Sequence, residues 1–173
     1  MAEFFTPIVD IFRYIDTLEP SLEMRGSFYV HPWVTVAHVM SMVLFAGTIL
    51  MMDLRLLGIG NMATPFSQVQ RRLFPWQIAG MAITTMSGLA LVFANPMNYA
   101  TNILFWTKML AMVVAALNAL AFHFVTEYSL ADWDAGATPP FAAKLAGGLS
   151  VLLWINVIVA GRMMPYPLRW FAE

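Results

Sequence analysis

The sequence predicts an all-α integral membrane protein: a four-helix up-down-up-down bundle behind an N-terminal amphipathic interfacial helix. Three observations carry that class. Hydrophobic residues make up 60% of the 173 positions and charged ones 11%, and the mean hydropathy of +0.70 lies well outside the range of soluble globular chains. Four long apolar runs alternate with short polar connections, the pattern of neighbouring antiparallel helices. The run around which the others are organised, His31 to Gly58, holds 21 consecutive residues from Pro32 to Met52 without Asp, Glu, Lys or Arg. As a helix that stretch is about 32 Å long, enough to cross a bilayer's hydrocarbon.

Residues 1–31 read as an interfacial segment. Phe4, Ile8, Ile11, Phe12, Ile15 and Leu18 recur at helical spacing while Asp10, Arg13 and Asp16 fall elsewhere. Too short and too charged to span, this helix either lies in the interface or covers the end of the bundle. Thr6-Pro7 suits its start, and a second short segment breaks at Gly26 before the chain enters the membrane at His31-Pro32.

The bundle is expected over residues 32–162. Its first span, about 32–57, ends at Gly58 and Gly60, which suit a helix C-terminus. A polar loop over Asn61 to Gln70 leads through Arg71 and Arg72 to the second span, about 73–94, which Asn95-Pro96 stops. Gly80, Thr84 and Gly88, with Ser87 beside them, give that span a small-residue face that lets a helix or a flat ligand approach. The third span, about 102–126, carries Lys108 early and His123 late; Glu127, Asp132 and Asp134 follow in an acidic loop ending at Pro139-Pro140. The fourth, about 141–161, carries Gly147, Gly148 and Asn156 and exits at Arg162; residues 163–173 read as an interfacial tail rich in aromatic and basic groups.

Composition also excludes classes. A formal net charge of −1 and the lack of a basic tract give no basis for nucleic-acid binding. With no Cys there is no disulfide, thiolate metal site, iron-sulfur cluster or thioether-linked haem. The first residues lack a basic n-region and a small-residue cleavage site, so no removable signal peptide is expected. The bilayer is the expected surrounding, in the bacterial inner membrane. The compact Arg55, Arg71, Arg72 group favours a cytoplasmic side there and periplasmic termini.

Depth decides which polar groups can meet. His38 and Lys108 each lie roughly 9 Å in from the side of the termini, and His123 roughly 30 Å from it. His38 and His123 therefore do not pair across one haem. His31 and His38, seven residues apart, share a face if the helix runs through Pro32. The constellation at the upper level is His38, Lys108, Asn156 and Arg162. An imidazole can bind haem iron, and ammonium or guanidinium can pair with carboxylates. The plainer readings stay open: His38 hydrogen-bonding across helices, Lys108 and Arg162 snorkelling to headgroups. The 14 Met residues suggest thioether copper chemistry or simply packing. On the opposite side Asp53, Arg55, Arg71, Arg72, His123 and Glu127 read as loop-fixing ion pairs, with a docking surface or proton entry point as the functional alternative.

The runs AHVMSMVLFAGTILMMDLRLLG, RRLFPWQIAGMAITTMSGLAL, FWTKMLAMVVAALNALAFH and LSVLLWINVIVAGR resemble an uncharacterised family of four-helix bacterial membrane proteins. More loosely the chain is similar to the copper-resistance protein D family and to the J-type membrane protoporphyrinogen IX oxidases. The oxidase resemblance implies His38 as a haem b ligand and Lys108 as a functional partner. The leading expectation is a haem b protein of electron transfer or porphyrin-linked redox chemistry. In it His38 binds the metal, Gly80, Thr84 and Gly88 give the ring room, and Lys108 orients a propionate, with Asn156 and Arg162 nearby and a redox protein as partner. The rivals are a non-catalytic scaffold or accessory subunit and a copper permease or chaperone. The small-residue faces also suit a homo-oligomer.

Overall fold

The computed structural model describes residues 2–59, 63–126, 133–134 and 138–166. Seven helices and no strand occur among the described residues: α1 Ala2–Asp16, α2 Glu19–Gly26, α3 Val30–Leu57, α4 Phe66–Ala94, α5 Pro96–Ala100, α6 Ile103–Thr126 and α7 Phe141–Met163. Four of them, α3, α4, α6 and α7, are long and apolar enough to cross a membrane. The fold is thus of the all-α membrane-bundle class. The distribution of side chains agrees: Val43, Leu110 and Leu152 are more than half exposed, whereas Ser21, Ser41, Thr48, Asp53, Arg55 and Ser87 are buried. Large apolar side chains facing outward and polar ones inward is the arrangement that lipid, rather than water, rewards.

Local chemistry explains most of the boundaries. The Val30 amide donates to Ser27 Oγ at 3.1 Å, which caps α3, and Pro32 falls in the first turn, where a missing N–H costs nothing. The helix therefore does run through Pro32, and His31 belongs to it. At the other end Gly58 has φ 78°, Ile59 N donates to Leu54 O at 3.0 Å and Gly58 N to Arg55 O at 3.2 Å. That is a Schellman ending, which needs the left-handed backbone that glycine adopts freely.

The second span starts earlier than hydropathy suggests. α4 begins at Phe66 rather than near residue 73 and takes in Gln68 to Arg72. Its first amides are satisfied from outside the helix: the Ser67 N–H donates to Asp134 Oδ1 at 2.8 Å and Ser67 Oγ donates to Asp134 Oδ2 at 2.5 Å. A carboxylate at a helix N-terminus also complements the dipole. A cap supplied from far along the chain leaves no mark in the local sequence. The short α5 after Asn95-Pro96 was likewise not foreseen. The tail after Tyr166, along with Gly60, Asn61, Glu127 and Asp132, lies outside the described residues.

The chain divides into two compact units. Unit 1 comprises Met1–Phe45 and Ile78–Ile103; unit 2 comprises Ala46–Gln77 and Leu104–Glu173. In unit 1, α1 packs against α5, so part of its apolar face is covered by protein. Ser21, fully buried, donates to Phe93 O at 2.8 Å and satisfies a carbonyl near the end of α4. Arg13 pairs with Asp10 and Arg25 with Asp16. In unit 2 the core comprises Leu56, Phe66, Trp133 and Ala143, with Met52 and Phe122 against it. Phe66 stands 5.9 Å from Phe122 and 5.5 Å from Trp133 between ring centroids. Asn118 Nδ2 donates to Ala146 O at 2.9 Å, tying α6 to α7.

Candidate intramembrane histidine site

In unit 1, α3 and α4 run against each other through three successive contacts. Phe45 meets Gly80, Ser41 meets Thr84, and His38 meets Thr84, Ser87 and Gly88. On α3 these residues recur at intervals of three and four, and on α4 likewise, so each set forms one face. A Cβ at Gly80 would lie 3.0 Å from the Phe45 backbone nitrogen, and one at Gly88 would lie 3.1 Å from His38 Cε1. Both glycines are there because another group occupies the space a side chain would need.

That corrects one expectation. The Gly80, Thr84, Gly88 face does not stand open for a flat ring: Phe45 fills the gap at Gly80, the His38 imidazole fills the gap at Gly88, and Thr84 Oγ1 donates to Ser41 Oγ at 2.9 Å. The small residues were legible in the sequence; their occupant was not, because α3's complementary residues are only aligned once the register is known.

The hydrogen-bond partners call for a proton on Nδ1 of the imidazole. His38 Nδ1 lies 3.1 Å from Thr84 O and 3.0 Å from Ser87 Oγ. The carbonyl can only accept. Ser87 Oγ donates its proton to Ile83 O at 2.6 Å, so toward His38 it too accepts. Both partners require a proton on Nδ1. In the neutral ring the lone pair is then on Nε2. Ser41 Oγ donates to His38 O at 3.1 Å, which completes a chain from Thr84 through Ser41 back to the helix that carries the imidazole. Ser41 escaped the sequence reading, although a hydroxyl three residues after an intramembrane histidine, on its own face, is the signal that would have found it.

The remaining candidates lie in unit 2. The ammonium of Lys108 sits 3.7 Å from where a Gly161 Cβ would be, with no ion pair among the described residues. Asn156 and Arg162 are exposed, so they do not turn inward with it; the Arg162 guanidinium stacks over the Tyr166 ring at 5.5 Å, as an interfacial cation does. His123 is exposed beside Phe124. Of the expected group Asp53, Arg55, Arg71, Arg72, His123 and Glu127, the last lies outside the described residues, and the others turn to different surroundings. Arg55, 1% exposed, donates through Nε to Thr64 O at 3.2 Å. Asp53 instead takes a hydrogen bond from Ser150 on α7, and Arg71 and Arg72 are exposed. Asp134 belongs to this end through Ser67. Burial works against its charged form, but the Ser67 hydroxyl and amide, the nearby Arg55 charge and the Phe66 amide outweigh it and hold the carboxyl below its ordinary value. Among the described residues no group of three or more His, Asp or Glu is arranged to hold a metal ion.

Four membrane-length helices with an inward-turned polar cluster define a polytopic membrane protein. Within that class the chain belongs to a family of unknown function, DUF6644, whose model matches residues 23–167. Comparison with curated proteins and with solved structures gives no match.

Proposed function

We propose that this is a haem b protein of the bacterial inner membrane, acting in electron transfer or porphyrin-linked redox chemistry, with His38 as the residue that would hold the iron. The observation that carries the reading is the tautomer: Nδ1 donates to Thr84 O and Ser87 Oγ, which leaves the Nε2 lone pair as the basic one. Metal-binding histidines are commonly fixed in this way, with the other ring N–H tied to a carbonyl. Haem iron needs one such imidazole on a face, so the lack of a three-residue metal cluster is no obstacle to it. The glycine face of α4 does not fit the macrocycle, because His38 and Phe45 occupy it. When bound, the haem would supply one-electron chemistry. The chain's own contribution is to hold the imidazole in one tautomer and one orientation. The Arg55, Arg71, Arg72 group supports a cytoplasmic location for that end and periplasmic termini.

The test is a visible spectrum of protein prepared in mild detergent from haem-replete cells. A Soret band is expected in the wild type and in His31→Ala, and none in His38→Ala. A colourless wild type overturns the reading. A second reading, a non-catalytic scaffold or accessory subunit, draws on the close helix approach at Gly80 and Gly88. It expects His38→Ala to assemble nearly as before and a fixed partner to copurify without any cofactor.

A further inference from the structure

Among the described residues Asp53 is the one aspartate that lies within a spanning helix. It is 6% exposed. One carboxyl oxygen takes the Ser150 hydroxyl, and Oδ2 has no hydrogen-bond partner among the described residues. Gly147, one turn before Ser150 on α7, makes this approach feasible: its missing Cβ would lie 3.1 Å from Asp53 O and 3.0 Å from Leu56 Cβ. The two helices meet backbone to backbone here, which leaves little room for water around the carboxyl.

The charged groups of the surrounding elements are Arg55 on α3 itself, Lys144 a turn before Gly147 on α7, His123 on α6, Arg71 and Arg72 on α4, and Asp134 beside the start of α4. Asp53 makes an ion pair with none of them among the described residues. Arg55 points its Nε at Thr64 O, and its charge acts on Asp134. Asp53 also stands in the last turns of α3, where the helix dipole is negative and disfavours an anion. An ionised carboxylate left buried with one oxygen unsatisfied and no countercharge costs far more than a neutral carboxyl in the same place.

We propose that Asp53 is an exchangeable proton-binding site of the membrane interior, seated by Ser150 across the Gly147 contact. Its ligand is a proton, taken up by the carboxylate and released from the carboxyl with no other bond made or broken. Nothing in this depends on haem at His38.

Infrared spectroscopy of the full chain in lipid bilayers tests it. The expected result at neutral pH is the carbonyl stretch of a protonated carboxylic acid, shifted when the sample is exchanged into heavy water and missing from Asp53→Asn. Ser150→Ala should keep the band and move its frequency, because the hydrogen bond to the carboxyl is gone. A wild-type spectrum with only carboxylate bands at neutral pH overturns the proposal, as does an acid band that heavy water never shifts. Should Asp53→Asn fail to accumulate, wild type carrying 13C-labelled aspartate gives the same reading. Among the described residues Asp10, Asp16 and Asp134 lie outside the spanning helices, so a labelled neutral-pH acid band is expected from Asp53 and its absence counts against the proposal.

Discussion

In unit 1 the polar groups that α3 carries inward are two kinds of side chain, an imidazole and a hydroxyl, and they meet partners on a single neighbouring helix. In unit 2 the last turns of the same helix carry a carboxyl and a guanidinium only two residues apart, and these turn to different neighbours: Asp53 to Ser150 of α7, Arg55 to the Thr64 carbonyl. The difference follows from the cost of burial. Neutral donors and acceptors can satisfy one another within a helix pair, each bond contributing modestly. A buried charge needs a dedicated set of dipoles or a countercharge. Arg55 has these: the Thr64 carbonyl, the negative end of the α3 dipole, and Asp134 within range of its charge. Asp53 faces the wrong end of that dipole and has no countercharge among the described residues. A buried atom without a hydrogen bond does not separate the two, since one occurs on each, Asp53 Oδ2 and Arg55 Nη2.

The sharpest way to break this comparison is to remove the guanidinium. Arg55→Ala should destabilise the protein by about 3 kcal/mol or more, the usual scale for removing one member of a buried charged arrangement. Thr64 O would lose its donor, and Asp134 the charge that helps hold it ionised. Thermal unfolding in detergent reads the loss. A change under about 1 kcal/mol, the surface-pair scale, would mean that the charged end of α3 is no more demanding than the neutral one.

Asp134 sharpens the comparison through pH. Its folded carboxyl lies below the ordinary value of 3.8, so its contribution is complete above that value and is lost as pH falls through the lowered one. Thermal stability should decline on that acid limb, and Asp134→Asn should flatten it while weakening the α4 cap. An acid limb identical in the variant would assign the effect to other carboxyls. Because α4's first turn is tied to Asp134, the acid effect is expected first in unit 2.

How much of this the sequence carried can be judged from particular residues. The four spans, the Gly58 ending and the inward histidine were legible because each rests on local information: an uncharged run of membrane length, a glycine after the last apolar residue, an ionisable group where lipid would reject it. The start of α4 was not, because its cap comes from Asp134, 67 residues further on. Gly80 and Gly88 were read as space, and they are space; that Phe45 and His38 fill it depends on the α3–α4 register, which no single stretch encodes. Asp53, Arg55, Arg71, Arg72, His123 and Glu127 read as loop-fixing ion pairs because the span ends that carry them fall on one side, which does not say which neighbour each charge turns to. On a helix, however, residues two apart point nearly opposite ways, so Asp53 and Arg55 were bound to part.

The smallest effect expected is in the neutral region, and it is the more informative for being small. Ser41 and Thr84 share a single bond, Oγ1 to Oγ at 2.9 Å, and Ser41 in turn donates to His38 O. Ser41→Ala and Thr84→Val should each cost on the order of 0.6 kcal/mol, the scale of polar contacts between membrane helices. Their double variant should recover part of the second loss, since both remove the same bond. Neither changes the Nδ1 contacts to Thr84 O and Ser87 Oγ, so the imidazole should keep its tautomer, and any Soret band should survive in the Ser41→Ala protein. If the single losses instead approached the Arg55→Ala value, the hydroxyl pair would have to be carrying the position of His38 itself. The contrast between a forgiving neutral end of α3 and a demanding charged one would then fail.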